Sequence, residues 1–342
     1  MKAHPSLWRI VPLLGLIWAL PARSEPPSIS APPVATPLGS QAGHAPGLHG
    51  GQGLIEVGSA LLGRPGTLRV GLLGEHGWGA DLPRAGVTHR RTAGTFSASY
   101  VPLKWLELSA SWAAASHVSG ALPGGPVQAI GDATLAAKVT GALHPRLMGG
   151  VELMGQLFPG IGSGTDTGAG VALGFAPRLL LSADLDDLLA DRLPLRAHLN
   201  VGGRFDTTAQ LVRHALDPAE ELALGIHRFP RVTTGFGVEL PFPMVAPFAE
   251  HALALPIGVG TEGDGSARHT LAAGLRVTAI RDLTLTLAGR LGLDRARTTG
   301  VPSTLPFNVF LGAAFHLDAL AASTPVVPAV AVAPRPPEPV RS

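Results

Sequence analysis

The 342-residue chain contains no cysteine. That single absence excludes a disulfide framework, a thiolate metal site and a lipid-modified N-terminal Cys. Aromatic residues are scarce at 5%, with one tyrosine, and charged residues reach only 15%. With a mean hydropathy of +0.29, the composition is apolar for a soluble protein of this length. Yet beyond the first twenty residues no run of about 18 apolar residues occurs, so no membrane-spanning helix is available. What remains is either a large buried core or strands with one apolar face. The formal charge of +2 and a pI near 9.5 reflect near-balance without a basic patch, which argues against nucleic acid as a partner.

Glycine and proline are plentiful, at 44 and 32 residues, which suits many turns and does not suit long helices. Residues 1–24 read as a secretory signal. Lys2 and Arg9 form a positive start, Ile10 to Leu20 an apolar core, and Ala22-Arg23-Ser24 a small-residue cut site. The apolar run is too short to span a bilayer as a retained anchor. Residues 25–53 are rich in Pro, Ala and Gly and read as a flexible leader. Residues 321–342, with six prolines from Pro325 to Pro339, read as a polyproline-like tail.

Between these ends the chain alternates. Phe307, Val309, Leu311, Ala313, Phe315 and Leu317 are all apolar, while the residues between them are mixed. Leu283, Leu285, Leu287, Leu291 and Leu293 oppose Thr284, Thr286, Ala288, Arg290 and Asp294 in the same way. A period of two over ten or more residues exceeds the usual soluble strand of about five or six and fits a membrane-crossing strand. The pattern predicts about twelve strands over residues 54–320. Short turns at 102–104, 144–146, 241–243 and 281–282 alternate with longer loops. Glu220 to Leu240 reads as one long strand, bulged at Phe229-Pro230, because proline in a paired strand needs an edge or a bulge. Were that dipeptide a hairpin turn, the strand count would become odd. Gly53 to Pro65 precedes the first strand and packs in or under the barrel.

On this architecture the chain resembles the outer-membrane β-barrel proteins of Gram-negative bacteria, porin-like or OmpA-like, although no diagnostic motif carries the likeness. The resemblance implies an all-β, transmembrane antiparallel up-and-down barrel in the outer membrane. Its implied partners are outer-membrane lipid, the barrel assembly machinery, which reads a terminal signal like Phe315-His316-Leu317, and a periplasmic or cell-wall partner for the tail. The chain departs from the pattern in its Pro-rich extension past that signal and in its few girdle aromatics, a role that falls partly to Trp78, Trp105 and Trp112. The function expected is a pore for small solutes; the alternative is an anchoring protein with an occluded lumen.

Polar-parity positions carry Arg69, Glu107, Asp132, Lys138, Glu152, Arg196, Arg204, Glu239, Glu250, Arg276 and Arg290. An uncompensated charge on a lipid-facing midplane position costs about 2–4 kcal/mol, so these side chains are expected to line the lumen. Closing the barrel brings Arg69, Arg276 and Arg290 onto neighbouring strands, a segregation that favours a lined pore over a paired plug. His117-Val118-Ser119 resembles the His-x-Ser arrangement of outer-membrane phospholipases, but nothing in the spacing supplies a third group to orient the base. The glycine-rich stretch Gly160 to Gly168 lacks the Lys-Ser/Thr of a phosphate loop. Asp184, Asp186 and Asp187 lack calcium-loop spacing. No catalytic residue, cofactor or metal is expected.

Overall fold

The computed structural model describes residues 45–82, 85–122, 125–159, 162–163, 171–186, 193–211, 218–258, 267–280, 282–294 and 304–318. The expected signal, most of the leader, the Pro-rich tail, Asp187 and most of the Gly160–Gly168 stretch lie outside them. Twelve long antiparallel strands close into an up-and-down barrel: β1 (Thr67–Gly79), β2 (His89–Leu103), β3 (Leu106–Ser119), β4 (Val127–His144), β5 (Leu147–Phe158), β7 (Ala172–Asp184), β8 (Arg196–Asp206), β9 (Arg231–Glu239), β10 (Val245–Pro256), β11 (Arg268–Ile280), β12 (Leu283–Gly292) and β13 (Phe307–Asp318). The two-residue β6 (Gly162–Ser163) only extends the ladder at Gln128–Ala129 on β4. Each long strand pairs with its sequence neighbours, and β1 pairs with β13 from Thr67↔Asp318 to Trp78↔Phe307, which leaves no open edge.

The period-two alternation sorts the side chains. Leu72, Leu135 and Leu311 are 61%, 68% and 68% exposed, and they point outward. Leu72 lies opposite Phe96, and Phe96 opposite Trp112, so cross-strand pairing builds a continuous apolar outer ridge. No described helix is long and apolar enough to cross a membrane; the strands supply the apolar belt. Trp78 and Trp105 are exposed near opposite ends of the barrel, the places an interfacial girdle occupies, and Trp112 sits mid-strand between them.

The expectation of a single strand from Glu220 to Leu240 is overturned. Pro218–Leu224 forms a short helix, α1, and only Arg231–Glu239 is strand. Pro218 suits the first helical position, and Glu220 and Glu221 complement the positive end of the helix. Gly225, at φ +62°, takes the left-handed conformation that ends the helix, and Ile226 N–H donates to the Glu221 carbonyl at 3.1 Å. Leu222 packs with Leu82 and Leu305, and Ala219 and Ala223 with Leu122 and Val127. These contacts fix α1 at the long-loop end of the barrel. The even strand count survives because the helix adds no strand.

Candidate functional site in the barrel lumen

Residues 45–61 run inside the barrel and make a compact plug. Gly47 N–H donates to the Gly51 carbonyl, Leu54 N–H to that of Val57, and Ser59 N–H to that of Gln52. Ala45, Leu54, Ile55, Val57 and Ala60 are at most 2% exposed. Leu54, Ile55 and Val57 pack against the inward-facing Phe248, Ala288 and Phe310. Two glycines make the fit possible. Gly50 has φ +85°, and a Cβ there would sit 2.8 Å from the Ala110 carbonyl oxygen; on the wall, a Cβ on Gly237 would meet Leu54 at 2.4 Å.

A segment outside the strand ladder must satisfy its backbone polar groups by other means. The wall does this with charged side chains. Glu107 accepts from Gln52 N–H at 3.0 Å while pairing with Arg69 at 2.9 Å and Lys138 at 2.8 Å. Glu250 accepts from the N–H groups of Glu56 and Val57, at 2.9 and 3.1 Å. Lys138 Nζ donates to the Ser59 carbonyl at 3.1 Å, and Arg276 to that of Gly53 at 2.6 Å. Ala60 N–H reaches Ser182 Oγ at 2.8 Å. Arg178 donates to Glu152 and, at 3.4 Å, to the Glu56 carbonyl. Such networks specify one arrangement more than they add net stability.

The eleven sequence-derived positions all have inward parity. Arg69, Glu107, Lys138, Glu152, Arg196, Glu239, Glu250 and Arg276 are buried in the half nearer the short turns; Asp132, Arg204 and Arg290 are partly covered in the other half. The expected segregation of Arg69, Arg276 and Arg290 into a charged pore wall does not hold. They do lie on β1, β11 and β12, but Arg69 is neutralised by Glu107 and Arg276 lies 3.9 Å from Glu239. Arg290 bridges Glu56 of the plug and, at 2.8 Å, Glu75. Carboxylates two strands away along the wall, together with Glu56 of the plug, supply the compensation.

Beside the plug lies a cavity of about 260 Å³, adjoined by a second of about 330 Å³ that reaches Leu222 and Ala223 of α1. Both are lined by Leu48 and His49 of the plug and by Arg204, Arg268 and Arg290. Arg231 and Arg204 share one carboxylate, Asp206, at 3.0 and 3.6 Å. Burial, and then the nearby Arg178 and Arg204, lower the His49 pKa to about 4, so its ring is neutral at pH 7. Burial opposes ionisation of Glu56, but Arg290 and the Thr270 hydroxyl outweigh it and hold the carboxyl below its ordinary range. His227, against Arg231 and Arg268, is held well below the usual imidazole value by burial and those cations.

Arg178, Arg231 and Arg268 were not among the sequence-derived positions. Arg178 and Arg268 share parity with inward Ser182 and Arg276, a signal that was available. Arg231 was hidden by the misread strand, and Glu56 lies where no period exists.

His117 does not meet Ser119. Its Nδ1 faces His89 Nε2 at 3.0 Å, while Ser119 Oγ accepts from Ala121 N–H. Among the described residues no group of three or more potential metal ligands converges. Asp184 instead pairs with Arg196 at 2.7 Å, and Asp186 lies 3.8 Å from Arg146.

No protein-family model and no curated protein matches the chain. Solved structures do. An outer membrane channel from Pseudomonas putida F1 is 12% identical, with a TM-score of 0.52 over 77% of this chain and 100% of the other. The NanC porin is 10% identical, with a TM-score of 0.46 over 72% and 100%. The β domain of the Bordetella autotransporter BrkA is 12% identical, with a TM-score of 0.46 over 74% and 100%. The fold of this chain is that of an outer-membrane β-barrel.

Proposed function

We propose that the protein is an outer-membrane channel for small solutes whose lumen is closed, in the described conformation, by its own residues 45–61. The short turns then face the periplasm and the long loops the exterior, as in membrane barrels generally. The observation that carries the reading is the manner of closure. A barrel needed only as an anchor has no use for a cavity lined by arginines, and apolar side chains would fill it at lower cost. Here the plug is held through main-chain hydrogen bonds to wall side chains, an arrangement that releases as a unit.

Conductance of the purified chain in a planar bilayer tests this. Deleting residues 45–61 is expected to raise single-channel conductance at least tenfold over the intact chain. Gly237→Val is an independent variant: its side chain collides with Leu54 while valine suits a strand. It should raise the frequency of opening without deletion. A folded deletion variant that stays closed would return the protein to the anchoring alternative.

A further inference from the structure

Guanidinium groups gather at the long-loop end of the lumen, and among the described residues few carboxylates lie at ion-pair distance from them. Asp206 serves two guanidinium groups, those of Arg204 and Arg231. Arg268 has no carboxylate within ion-pair distance among the described residues; it donates to Thr304 Oγ1 at 3.1 Å and lies 3.4 Å from His227 Nε2. A neutral imidazole offers one lone pair, and Arg231 contacts that same ring. Three guanidinium groups therefore gather at the edge of the cavity with one carboxylate at ion-pair distance among the described residues, while Asp294 and Glu56 act on Arg268 only from farther away. On the same strand as Arg204, Asn200 also lines the cavity; it is 6% exposed, and neither Oδ1 nor Nδ2 has a hydrogen-bond partner among the described residues. A buried amide left with both ends unmet is costly, so its retention marks a place where something polar binds.

The plug shows which chemistry suits the wall. Glu56 projects from it, and its carboxylate is taken by Arg290 and by the Thr270 hydroxyl at 3.0 Å. A carboxylate flanked by a guanidinium and a hydroxyl donor is thus already accommodated beside Arg268. We infer that the cavity beside the plug binds small hydroxylated monocarboxylates, with the carboxylate on Arg231 and Arg268, the hydroxyls on Asn200, and Glu56 acting as an internal competitor at the Arg290 end. The inference deepens the channel reading by naming its solute class, and in that sense rests on it. Monocarboxylate follows from Arg268, the one of the three guanidinium groups with no carboxylate at ion-pair distance among the described residues, and hydroxylated from an amide that both donates and accepts. An arriving anion weakens the hold of the arginines on Glu56, so binding and loosening of the plug are linked.

Calorimetric titration of the full chain in detergent micelles, with glucuronate as probe and glucose as its neutral counterpart, tests binding without requiring conduction. Saturable binding of glucuronate and none of glucose is expected. Arg268→Gln should weaken it at least tenfold and Asn200→Ala about threefold, while Arg146→Gln, far from the cavity, leaves it unchanged. Glu56→Gln should strengthen it about threefold. Absence of saturable binding in both the intact chain and Glu56→Gln overturns the inference. So does an unchanged affinity in both Arg268→Gln and Asn200→Ala, or tighter binding of inorganic phosphate than of glucuronate. Because the readout is binding, a chain that binds glucuronate but never conducts would refute the channel reading and leave the site standing.

Discussion

At the short-turn end of the lumen Glu107 is met by Arg69, Lys138 and a backbone N–H of the plug. At the long-loop end Asp206 alone faces both Arg204 and Arg231. On the wall of the first half, Glu107, Glu152, Asp184, Glu239 and Glu250 stand against Arg69, Lys138, Arg178, Arg196 and Arg276, one for one. On the wall of the second, Glu75, Asp132 and Asp206 stand against Arg91, Arg204, Arg231, Arg268 and Arg290. Glu56 from the plug and Asp294 at the mouth make up that difference, but Asp294 accepts from Thr304 N–H at 3.0 Å and neither pairs directly with Arg268. The matched half, whose charges pair directly, packs shut, and the more loosely paired half keeps a cavity. Position along the barrel axis, more than residue type, decides whether lumen charge closes or receives.

The largest expected effect lies in the matched half. Glu107→Gln leaves Arg69 and Lys138 buried without their shared carboxylate, a loss of about 3–5 kcal/mol for breaking a buried network from one side. Arg268→Gln, on the partly hydrated side, should cost less than about 1 kcal/mol. Urea unfolding followed by heat-modifiable migration in gels compares the two, and equal losses would erase the distinction between the halves.

Next comes the latch between them. Glu56→Gln removes a charge-assisted hydrogen bond to Arg290, a net contribution of about 1.5–3 kcal/mol, and should raise open probability roughly tenfold or more. An unchanged open probability would mean that the plug is held by the matched half alone.

Through His49 and Glu56, acidification should act in the same direction. The plugged state binds the His49 proton only near pH 4, whereas a released, solvated His49 titrates near 6.5. As pH falls from 6.5 toward 4, the released state takes up the proton first, so the plugged state loses relative stability; below 4 this contribution is constant. Glu56 has the opposite kind of group and the same sign. Its stabilisation is complete above its ordinary value of 4.5 and is lost as pH falls below that through the depressed plugged-state value. Channel recordings between pH 7 and 4 should show opening increase, and His49→Gln should flatten the part above pH 4.5.

The smallest effect concerns ion preference. Arg268→Gln should move the reversal potential slightly toward cations in a salt gradient, and Arg276→Gln, buried beside the plug in the matched half, should barely move it. A larger shift from Arg276→Gln would place the conducting path through the matched half.

Much of this was legible in the sequence because lipid and lumen impose opposite polarities on successive residues. Leu283 to Leu293 and Phe307 to Leu317 therefore declare their faces, and Arg69, Glu107 and Lys138 could be placed inward by parity alone. Parity says nothing of partners across the lumen, which is why Arg69, Arg276 and Arg290 read as a like-charged wall. Glu107, Glu239 and Glu56 reach them from other strands or from no strand. Glu220 to Leu240 misled for a related reason: Glu220, Leu222 and Leu224 lie within a stretch whose polarity fits either period, and only Pro218 and Gly225 mark a helix there. The plug had no period to read. Its signal was indirect, in inward positions such as Gly237 where a side chain would collide with it.

The plug runs directly into β1, with only residues 62–66 between Leu61 and Thr67. At about 3.5 Å per extended residue, that tether lets the released segment travel less than roughly 20 Å. Rebinding is therefore intramolecular, at an effective concentration on the order of millimolar for so short a link. A solute that holds the plug off must compete with that figure and not with the dilute concentration of a free inhibitor. On the proposed reading, the length of five residues thus sets a threshold: only an abundant solute would hold the plug off, and the same molecule would close again when it is gone.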